Sequence, residues 1–112
     1  MLEITTECRK GIFFVRLKGT LDKTTTDILR KEITSLVKEN EIRNILFNLN
    51  EVTKIDIKGI SELYYNFELC KKNNGMSLLC GINENIFKTI KNSRITKYMN
   101  EIANELNAFD LL

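Results

Sequence analysis

The sequence predicts an α/β fold: a single domain over residues 1–112, with about four helices on a mixed, mostly parallel sheet of four to five strands. At 112 residues the chain is long enough for one domain with a sizeable core and too short for two. Short apolar runs rich in β-branched residues alternate with segments whose apolar residues recur at helical spacing. Strands that alternate with helices need crossover connections, and these produce a mostly parallel sheet.

The first half of the chain predicts two strands, a helix and a third strand. Leu2–Arg9 alternates weakly, as an edge strand does, whereas Ile12–Leu17 is rich in β-branched and aromatic residues. Gly19–Asp22 is expected to close the second strand. A helix is predicted at about Thr25–Asn40, with the threonines at its start as candidate N-caps. Asn44–Asn48 is apolar on both faces, which suits a strand covered on both sides.

The second half continues the alternation of helices and strands. After a loop at Asn50–Asp56, the predicted elements are a helix at Ile57–Lys72, a strand at Met76–Gly81, a short helix at Asn85–Asn92, a last short strand at Arg94–Met99 and a terminal helix at Asn100–Phe109. The residues that the terminal helix is expected to turn inward are Ile102, Ala103, Leu106 and Phe109. The order is ββαβαβαβα, and periodicity leaves open whether the helices lie on one face of the sheet or on both.

The composition argues against most enzymes. Because the chain has no histidine, it has no Ser-His-Asp or Cys-His unit and no His-ligated metal site. Cys8, Cys70 and Cys80 lie far apart and form no CxxC motif, so they are expected to be buried, small apolar side chains in a reducing cytosol. We therefore predict no catalytic residue, no metal and no cofactor.

Charge and hydropathy narrow the class of partner. The chain has 17 basic and 15 acidic residues, a net charge of +2 and no basic block, which argues against nucleic acid. Its longest apolar runs are only a few residues, so no direct membrane insertion is expected. The first residues, MLEITTECRK, lack a hydrophobic signal segment, and the expected location is the cytoplasm.

The predicted helix Ile57–Lys72 has the most informative pattern. At about 100° per residue, its inward face holds Ile60, Leu63, Tyr64, Phe67 and Cys70. Its opposite face holds Lys58, Ser61, Glu62, Tyr65, Leu69 and Lys72. Tyr65 and Leu69 stand out among the charged residues there, a pattern typical of a protein contact surface. The alternative is that both pack against a neighbouring loop.

The residues at the start of this helix are also distinctive. Asp56 is expected to cap the helix by accepting hydrogen bonds from its free N–H groups. Lys58 lies in the first helical turn, where a positive charge opposes the helix dipole. The cost of an exposed cation there is a fraction of a kcal/mol, so this position is a hint of function and no more.

Three stretches of the chain, taken in order, resemble one known family. They are Gly19–Asp22, which reads G-T-L-D; Asn44–Asn50, an apolar strand ending in N-L-N; and Val52–Gly59, which reads V-T-K-I-D-I-K-G. They resemble the G-x-L-D turn, the central strand ending in D-L or N-L, and the hydrophobic-D-S-S/T-G switch motif of the STAS domain, the fold of bacterial anti-sigma-factor antagonists. Asn73–Gly75 also fits. The resemblance covers nearly the whole chain and implies helices packed to one side of a mixed sheet and protein–protein recognition rather than catalysis.

The switch motif is where the sequence departs from this family. In the family, the second Ser or Thr of the motif is phosphorylated by a partner kinase that is itself the anti-sigma factor, and the phosphate disrupts the complex. Asp56 and Gly59 match the motif, but Ile57 and Lys58 replace its two hydroxyl residues. Lys58 therefore stands at the phosphoacceptor position without a hydroxyl. Ser61, one turn later on the same face, is the alternative acceptor.

The resemblance implies a divergent anti-sigma-factor antagonist that binds an anti-sigma factor with serine-kinase activity or a related regulator, without phospho-control. The expected partner surface comprises Asp22, Asp56, Lys58, Gly59, Ser61, Glu62 and Tyr65. One alternative is a STAS scaffold subunit of an unrelated assembly, such as a lipid-transport complex or a stressosome-like particle. A small enzyme or ligand-binding domain is a third, against which stands the lack of a phosphate loop or metal-ligand cluster. The oligomeric state is left open.

Overall fold

A computed structural model describes residues 1–111 and contains one five-stranded sheet. Its strands are β1 (Leu2–Arg9), β2 (Ile12–Leu21), β3 (Asn44–Ile55), β4 (Ser77–Cys80) and β5 (Asn100–Glu101). The helices are α1 (Thr26–Asn40), α2 (Ile57–Lys72), α3 (Phe87–Ser93) and α4 (Ala108–Leu111), and two 3-10 helices span Ile95–Lys97 and Glu105–Asn107. The strands lie side by side in chain order; β1 is antiparallel to β2, and all other neighbours are parallel. The predicted mixed, mostly parallel sheet is confirmed.

β2 and β3 are both longer than the sequence predicts. The segment Gly19–Asp22 does not close β2, because the strand continues to Leu21. The predicted loop at Asn50–Asp56 is wrong, because β3 continues to Ile55. The two extensions pair in parallel up to Leu21 opposite Ile55, with two irregularities of register on the way. This part of β3 mixes exposed polar residues with the buried Val52, so its hydropathy resembles that of a loop.

The first two helices lie where the sequence predicts them, since α1 begins one residue late and α2 has the predicted bounds. The predicted threonine capping of α1 is wrong. Thr25 occupies the N-cap position but makes no capping hydrogen bond with its side chain. Its hydroxyl instead donates to the carbonyl oxygen of Thr20 at 2.9 Å and accepts from the N–H of Asp22 at 3.0 Å. Thr25 therefore fixes the β2–α1 loop rather than the helix end.

The last twenty residues differ most from the prediction. The strand expected at Arg94–Met99 is wrong, because a 3-10 helix forms there and β5 has only two residues, Asn100 and Glu101. The terminal helix expected at Asn100–Phe109 is also wrong over most of its length. The Asn104 side chain caps a second 3-10 helix at Glu105–Asn107, so the predicted continuous α-helix does not form. Leu106, expected inward, is 69% exposed, Ala103 is exposed as well, and Ala108 is buried instead.

The two faces of the sheet carry separate cores. On one face, residues of α1, α2 and α3, among them Leu63 and Ile90, pack against strand residues that include Val15, Phe47 and Leu79. On the other face, Ala108 and Phe109 from α4 pack against Ile12, Phe14, Leu46, Leu78 and Cys80. The central position predicted for β3 and β4, covered on both faces, is confirmed. The expectation that helices pack to one side holds for α1–α3 and fails for α4.

The three cysteines are all free, and two of them behave as predicted. Cys70 and Cys80 are buried, and burial raises the pKa of their thiols to about 12 and about 11. Both thiols therefore stay protonated near neutral pH. The prediction is wrong for Cys8, which is exposed on the edge strand β1.

Candidate functional site

The start of α2 is fixed by one carboxylate. Oδ1 of Asp56 accepts a hydrogen bond from the N–H of Gly59 at 2.8 Å, so the predicted N-cap is confirmed. Oδ2 of the same side chain accepts from the N–H of Lys23 at 3.2 Å, and the N–H of Asp56 donates to the carbonyl oxygen of Leu21 at 3.3 Å. Asp56 thereby ties the helix start to the β2–α1 loop, which the sequence predicted as a separate motif.

Gly59 lies at a close approach between α2 and the end of β2. A Cβ at this position would collide with the carbonyl oxygen of Leu21 and lie 2.8 Å from Cγ1 of Ile55. Only glycine allows the first turn of α2 to sit this close to the two strand ends. The glycine of the motif therefore sets the position of the helix, whatever that helix binds.

Asp22 is largely engaged inside its own loop. Its Oδ1 accepts hydrogen bonds from the hydroxyl of Thr24 at 2.6 Å and from the N–H of Thr24 at 2.9 Å. These two bonds, the hydroxyl bond first, lower the pKa of Asp22 below its ordinary value. The structure thus brings Asp22 next to the α2 start through Lys23, whose N–H reaches Asp56.

Three side chains at the start of α2 face outward. Ile57 is 77% exposed, and Lys58 beside it is exposed as well. Ser61 is exposed one turn later, and its hydroxyl donates to the carbonyl oxygen of Ile57 at 3.0 Å. The predicted outward placement of Lys58 and Ser61 is confirmed, and the exposure of the apolar Ile57 is a feature that the helical periodicity did not reveal.

Glu62 does not lie on the solvated face where the helical wheel places it. It is 4% exposed, because Arg30 of α1 reaches across and binds its carboxylate, with Nη2–Oε1 at 3.0 Å and Nε–Oε2 at 3.2 Å. These hydrogen bonds raise the pKa of Arg30. The Arg30 guanidinium also lies 3.9 Å from the ring centroid of Tyr65, which is 37% exposed. Both predicted surface residues are therefore engaged by α1.

Phe67 and its neighbours form an aromatic group on the other flank of α2. Tyr64, Phe67 and Tyr98 have ring centroids 5.2–5.5 Å apart. Phe67 packs against the core, as its predicted place on the inward face requires, but it is only half-buried. Towards the start of α2 the group borders a groove of about 270 Å³, whose lining residues are Ile60, Ser61, Tyr64, Ser93, Ile95 and Tyr98.

Two further polar side chains, Asn66 and Ser77, are buried, and the sequence pattern did not reveal the burial of Asn66. Asn66 of α2 is fully buried, and its Nδ2 donates to the carbonyl oxygen of Glu62 at 2.8 Å. Its Oδ1 and the hydroxyl of the buried Ser77 have no hydrogen-bond partner among residues 1–111. A helical wheel places Asn66 beside Leu63 and Cys70, but a polar amide side chain is normally expected to face the solvent.

Two kinds of site are not found among the residues that the structure describes. Within residues 1–111, no group of three or more acidic or cysteine side chains is arranged to hold a metal ion. Over the same range, no helix has both the length and the apolar character needed to cross a bilayer.

The chain is similar in sequence and in structure to known proteins. A family model for the STAS domain matches residues 3–108. A Paenibacillus polymyxa protein named anti-sigma F factor antagonist is 26% identical over 107 residues, which cover 96% of this chain and 92% of that protein. The anti-sigma factor antagonist SpoIIAA in its unphosphorylated form has a TM-score of 0.83 at 19% identity, over 97% of this chain and 95% of that chain. A Thermotoga maritima protein has a TM-score of 0.88 at 11% identity, over 96% and 92% of the two chains.

These matches agree with the motifs read from the sequence. The two solved structures share the whole architecture with this chain, and at such low identities the likeness is one of fold. The family model spans nearly all of the elements described above, including the α2 start and its glycine. The resemblance inferred from the motifs is confirmed, and the chain belongs to the STAS-domain family.

Proposed function

We propose that this protein is a non-enzymatic binding module of the anti-sigma-factor-antagonist class whose α2 start docks on an anti-sigma factor or a related regulator. The observation behind the proposal is the exposed Lys58 in the first turn of α2, where the family resemblance puts a phosphoacceptor hydroxyl. The curated Paenibacillus relative, named as an antagonist, favours this class over a scaffold in an unrelated assembly.

The proposed docking surface has an apolar centre and a positive edge. Ile57 provides the exposed apolar group, and Lys58 provides the charge beside it. Asp22, Asp56 and Gly59 support this surface by fixing the loop and the helix start through the hydrogen bonds and close packing described above. A partner that fits it presents an apolar patch next to acidic side chains.

The remaining members of the surface contribute differently. Ser61 extends it along α2, one turn from Ile57. Tyr65 borders it two turns from the helix start, with its ring covered on one side by Arg30. Glu62 holds Arg30 in place through their ion pair and is too buried to contact a partner directly. Its expected role thus changes from contact to support.

Control by phosphorylation is proposed to be absent at the usual position. A phosphate placed beside a helix N-terminus changes the local charge by nearly two units, which is how such switches act. Ile57 and Lys58 have no hydroxyl to accept it. After incubation with the cognate kinase and ATP, mass spectrometry should find no phosphate on the segment 56–59. Phosphate on Ser61 would keep such a switch and move it by one turn.

The test of the docking surface uses two lysines on one helix. A partner is first captured with the wild-type protein from the native host and then purified. Its binding to wild type, Lys58→Glu and the control Lys72→Glu is measured at low and high ionic strength. Lys58→Glu should weaken binding by about tenfold at low ionic strength, mainly through slower association, and less at high ionic strength. Lys72→Glu makes the same charge change at the exposed far end of α2 and should bind like wild type. Equal binding of both variants would refute the proposed surface.

A further inference from the structure

β1 is a long, regular sheet edge that carries charged side chains but has neither a bulge nor a proline. Its eight residues pair with β2 in one uninterrupted register, without a bulge. The sequence of the strand, LEITTECR, contains no proline. Natural proteins commonly protect such edges with charged residues, bulges, prolines, short strands or covering segments. The opposite edge follows that rule, because β5 has only two residues.

The outward backbone groups of β1 belong to its even-numbered residues. The carbonyl oxygen of Met1 accepts a hydrogen bond from the N–H of Thr20 at 2.9 Å, one step before the pair Leu2 and Gly19. Hydrogen-bonded and non-hydrogen-bonded pairs alternate along an antiparallel ladder. The odd-numbered residues of β1 therefore bond to β2. Their even-numbered neighbours, from Leu2 to Cys8, turn their N–H and C=O groups away from the sheet.

The side chains of β1 can form favourable pairs with those of β1 in a second copy of the chain. The relevant arrangement is one in which β1 of a second copy lies antiparallel to β1 of the first copy, with Thr6 opposite Thr6. Glu3 then faces Arg9 of the second copy, and the symmetry makes this ion pair twice. On the other face of the strand, Ile4 faces Cys8 of the second copy. Directly opposite residues of opposite charge or of apolar character stabilise an antiparallel pair.

We propose that two copies of this chain associate through β1 in this register and form one continuous sheet. Glu3 is exposed and forms no ion pair among residues 1–111. Arg9 lies 3.6 Å from Glu7 of its own strand and would exchange this longer contact for Glu3 of the second copy. A register centred on Cys8 would leave only residues 6–10 in the overlap. It would also rest on Glu7, which already binds Arg16 at 2.9 Å. The register centred on Thr6 is the one that uses the whole strand.

The association tested is a weak, reversible one, because a single strand pairing buries little area. Sedimentation equilibrium of the full chain, from micromolar to near-millimolar concentration, should show a monomer–dimer equilibrium. Glu3→Arg and Arg9→Glu should each raise the dissociation constant by about tenfold, because each puts two like-charged pairs opposite one another. The double variant Glu3→Arg/Arg9→Glu restores both pairs and should return the constant close to that of wild type.

This rescue distinguishes association from a local effect. Within one chain, residues 3 and 9 are about 20 Å apart along an extended strand, so they cannot compensate each other there. Far-UV circular dichroism and thermal unfolding establish that each variant is folded. A wild-type chain that stays monomeric up to near-millimolar concentration would overturn the proposal. A double variant that associates no better than the single ones would overturn it too.

A second experiment tests the register itself. In a Cys8→Ser background, Thr6→Cys places one accessible thiol opposite its own copy, within reach of a disulfide. Mild oxidation should produce a covalent dimer, and the matched control Ser35→Cys/Cys8→Ser, exposed on α1, should produce little. Cys70 and Cys80 are buried and do not compete. Equal crosslinking of the two variants would show random collision and contradict the proposed pairing.

Discussion

Arg16 on β2 and Glu105, 89 residues later, form a two-point ion pair, with Nε–Oε2 at 2.9 Å and Nη2–Oε1 at 2.8 Å. Nδ2 of Asn48 on β3 donates to the same carboxylate at 2.9 Å. Glu105 lies in the segment between β5 and α4, which crosses the second face of the sheet. One carboxylate therefore attaches this segment to two central strands.

Neutralising this carboxylate should destabilise the protein near neutral pH. The hydrogen bonds from Arg16 are the main reason that the pKa of Glu105 lies below its ordinary value of 4.5. Glu105→Gln should lower the free energy of unfolding by about 1–2 kcal/mol, the range for partly exposed charge-assisted hydrogen bonds. Because the folded-state pKa is depressed, this stabilisation is complete above about pH 4.5 and is lost as the pH falls through the lowered value.

Urea unfolding of wild type and Glu105→Gln from neutral to acidic pH measures this difference. The control is Glu101→Gln, which removes an exposed carboxylate on β5. The two curves for wild type and Glu105→Gln should converge in acid, whereas Glu101→Gln should follow wild type throughout. A gap that persists unchanged at acidic pH would show that Arg16 does not distinguish the two charge states of Glu105.

Gly59→Ala should destabilise the protein through packing alone. The added methyl group collides with the carbonyl oxygen of Leu21, which belongs to the β2 backbone and cannot rotate away. The expected loss in the free energy of unfolding is about 1–3 kcal/mol, typical of overpacking. Ser61→Ala on the same helix is the control and should change it by less than about 0.5 kcal/mol. Equal denaturation midpoints for both variants would mean that α2 shifts freely relative to β2.

Leu63→Ala should cost more stability than Phe67→Ala, although phenylalanine is the larger residue. Leu63 is fully buried, and its truncation should lower the free energy of unfolding by about 2–5 kcal/mol. Phe67 is half-buried, so about 1–3 kcal/mol is expected, below the range for fully buried phenylalanines. Chemical denaturation of both variants gives the order, and the reverse order would mean that the aromatic group on α2 is the tighter part of the core.

Arg30→Ala should destabilise the α1–α2 contact by leaving the buried carboxylate of Glu62 without its partner. We expect a loss of about 1–3 kcal/mol in the free energy of unfolding, because water reaches the carboxylate only in part once the arginine is gone. Adding Glu62→Gln should recover part of this loss, since it removes the unpaired charge. Thermal unfolding of the single and double variants measures the coupling. Additive effects would show that Arg30 acts on Tyr65 alone.

The elements with strong local signals were predictable from the sequence. α2 has its predicted bounds because apolar residues at helical spacing, a capping Asp56 and the turn residues after Lys72 all agree. β3 beyond Asn48 and the segment after Arg94 were not predictable. Their structure depends on pairing with β2 and on packing against the second face of the sheet, and both are contacts between residues far apart in sequence.

Of the candidate site, only the residues that fix the backbone at the start of α2 were predictable from the sequence. The motif identified Asp56 as the cap, and Gly59 as a required position, from residues close in the chain. Burial of Glu62 depends on Arg30, 32 residues earlier on another helix, and no pattern within α2 indicates it. A charged residue on the outer half of a helical wheel is normally solvated, and a neighbouring helix that supplies a counter-charge reverses that rule.

The attachment of Glu105 to Arg16 also has a consequence during synthesis. Ribosomes deliver residues in order at about 5–20 per second, and a domain generally folds as a unit. The first eighty residues supply β1–β4 and therefore the apolar surface of Ile12, Phe14 and Leu46. In the complete chain Ala108 and Phe109, from the segment that Glu105 attaches, cover that surface, so it has no cover until this segment is made. A chain that stops before Glu105 therefore lacks the residues that hide this apolar surface in the complete domain.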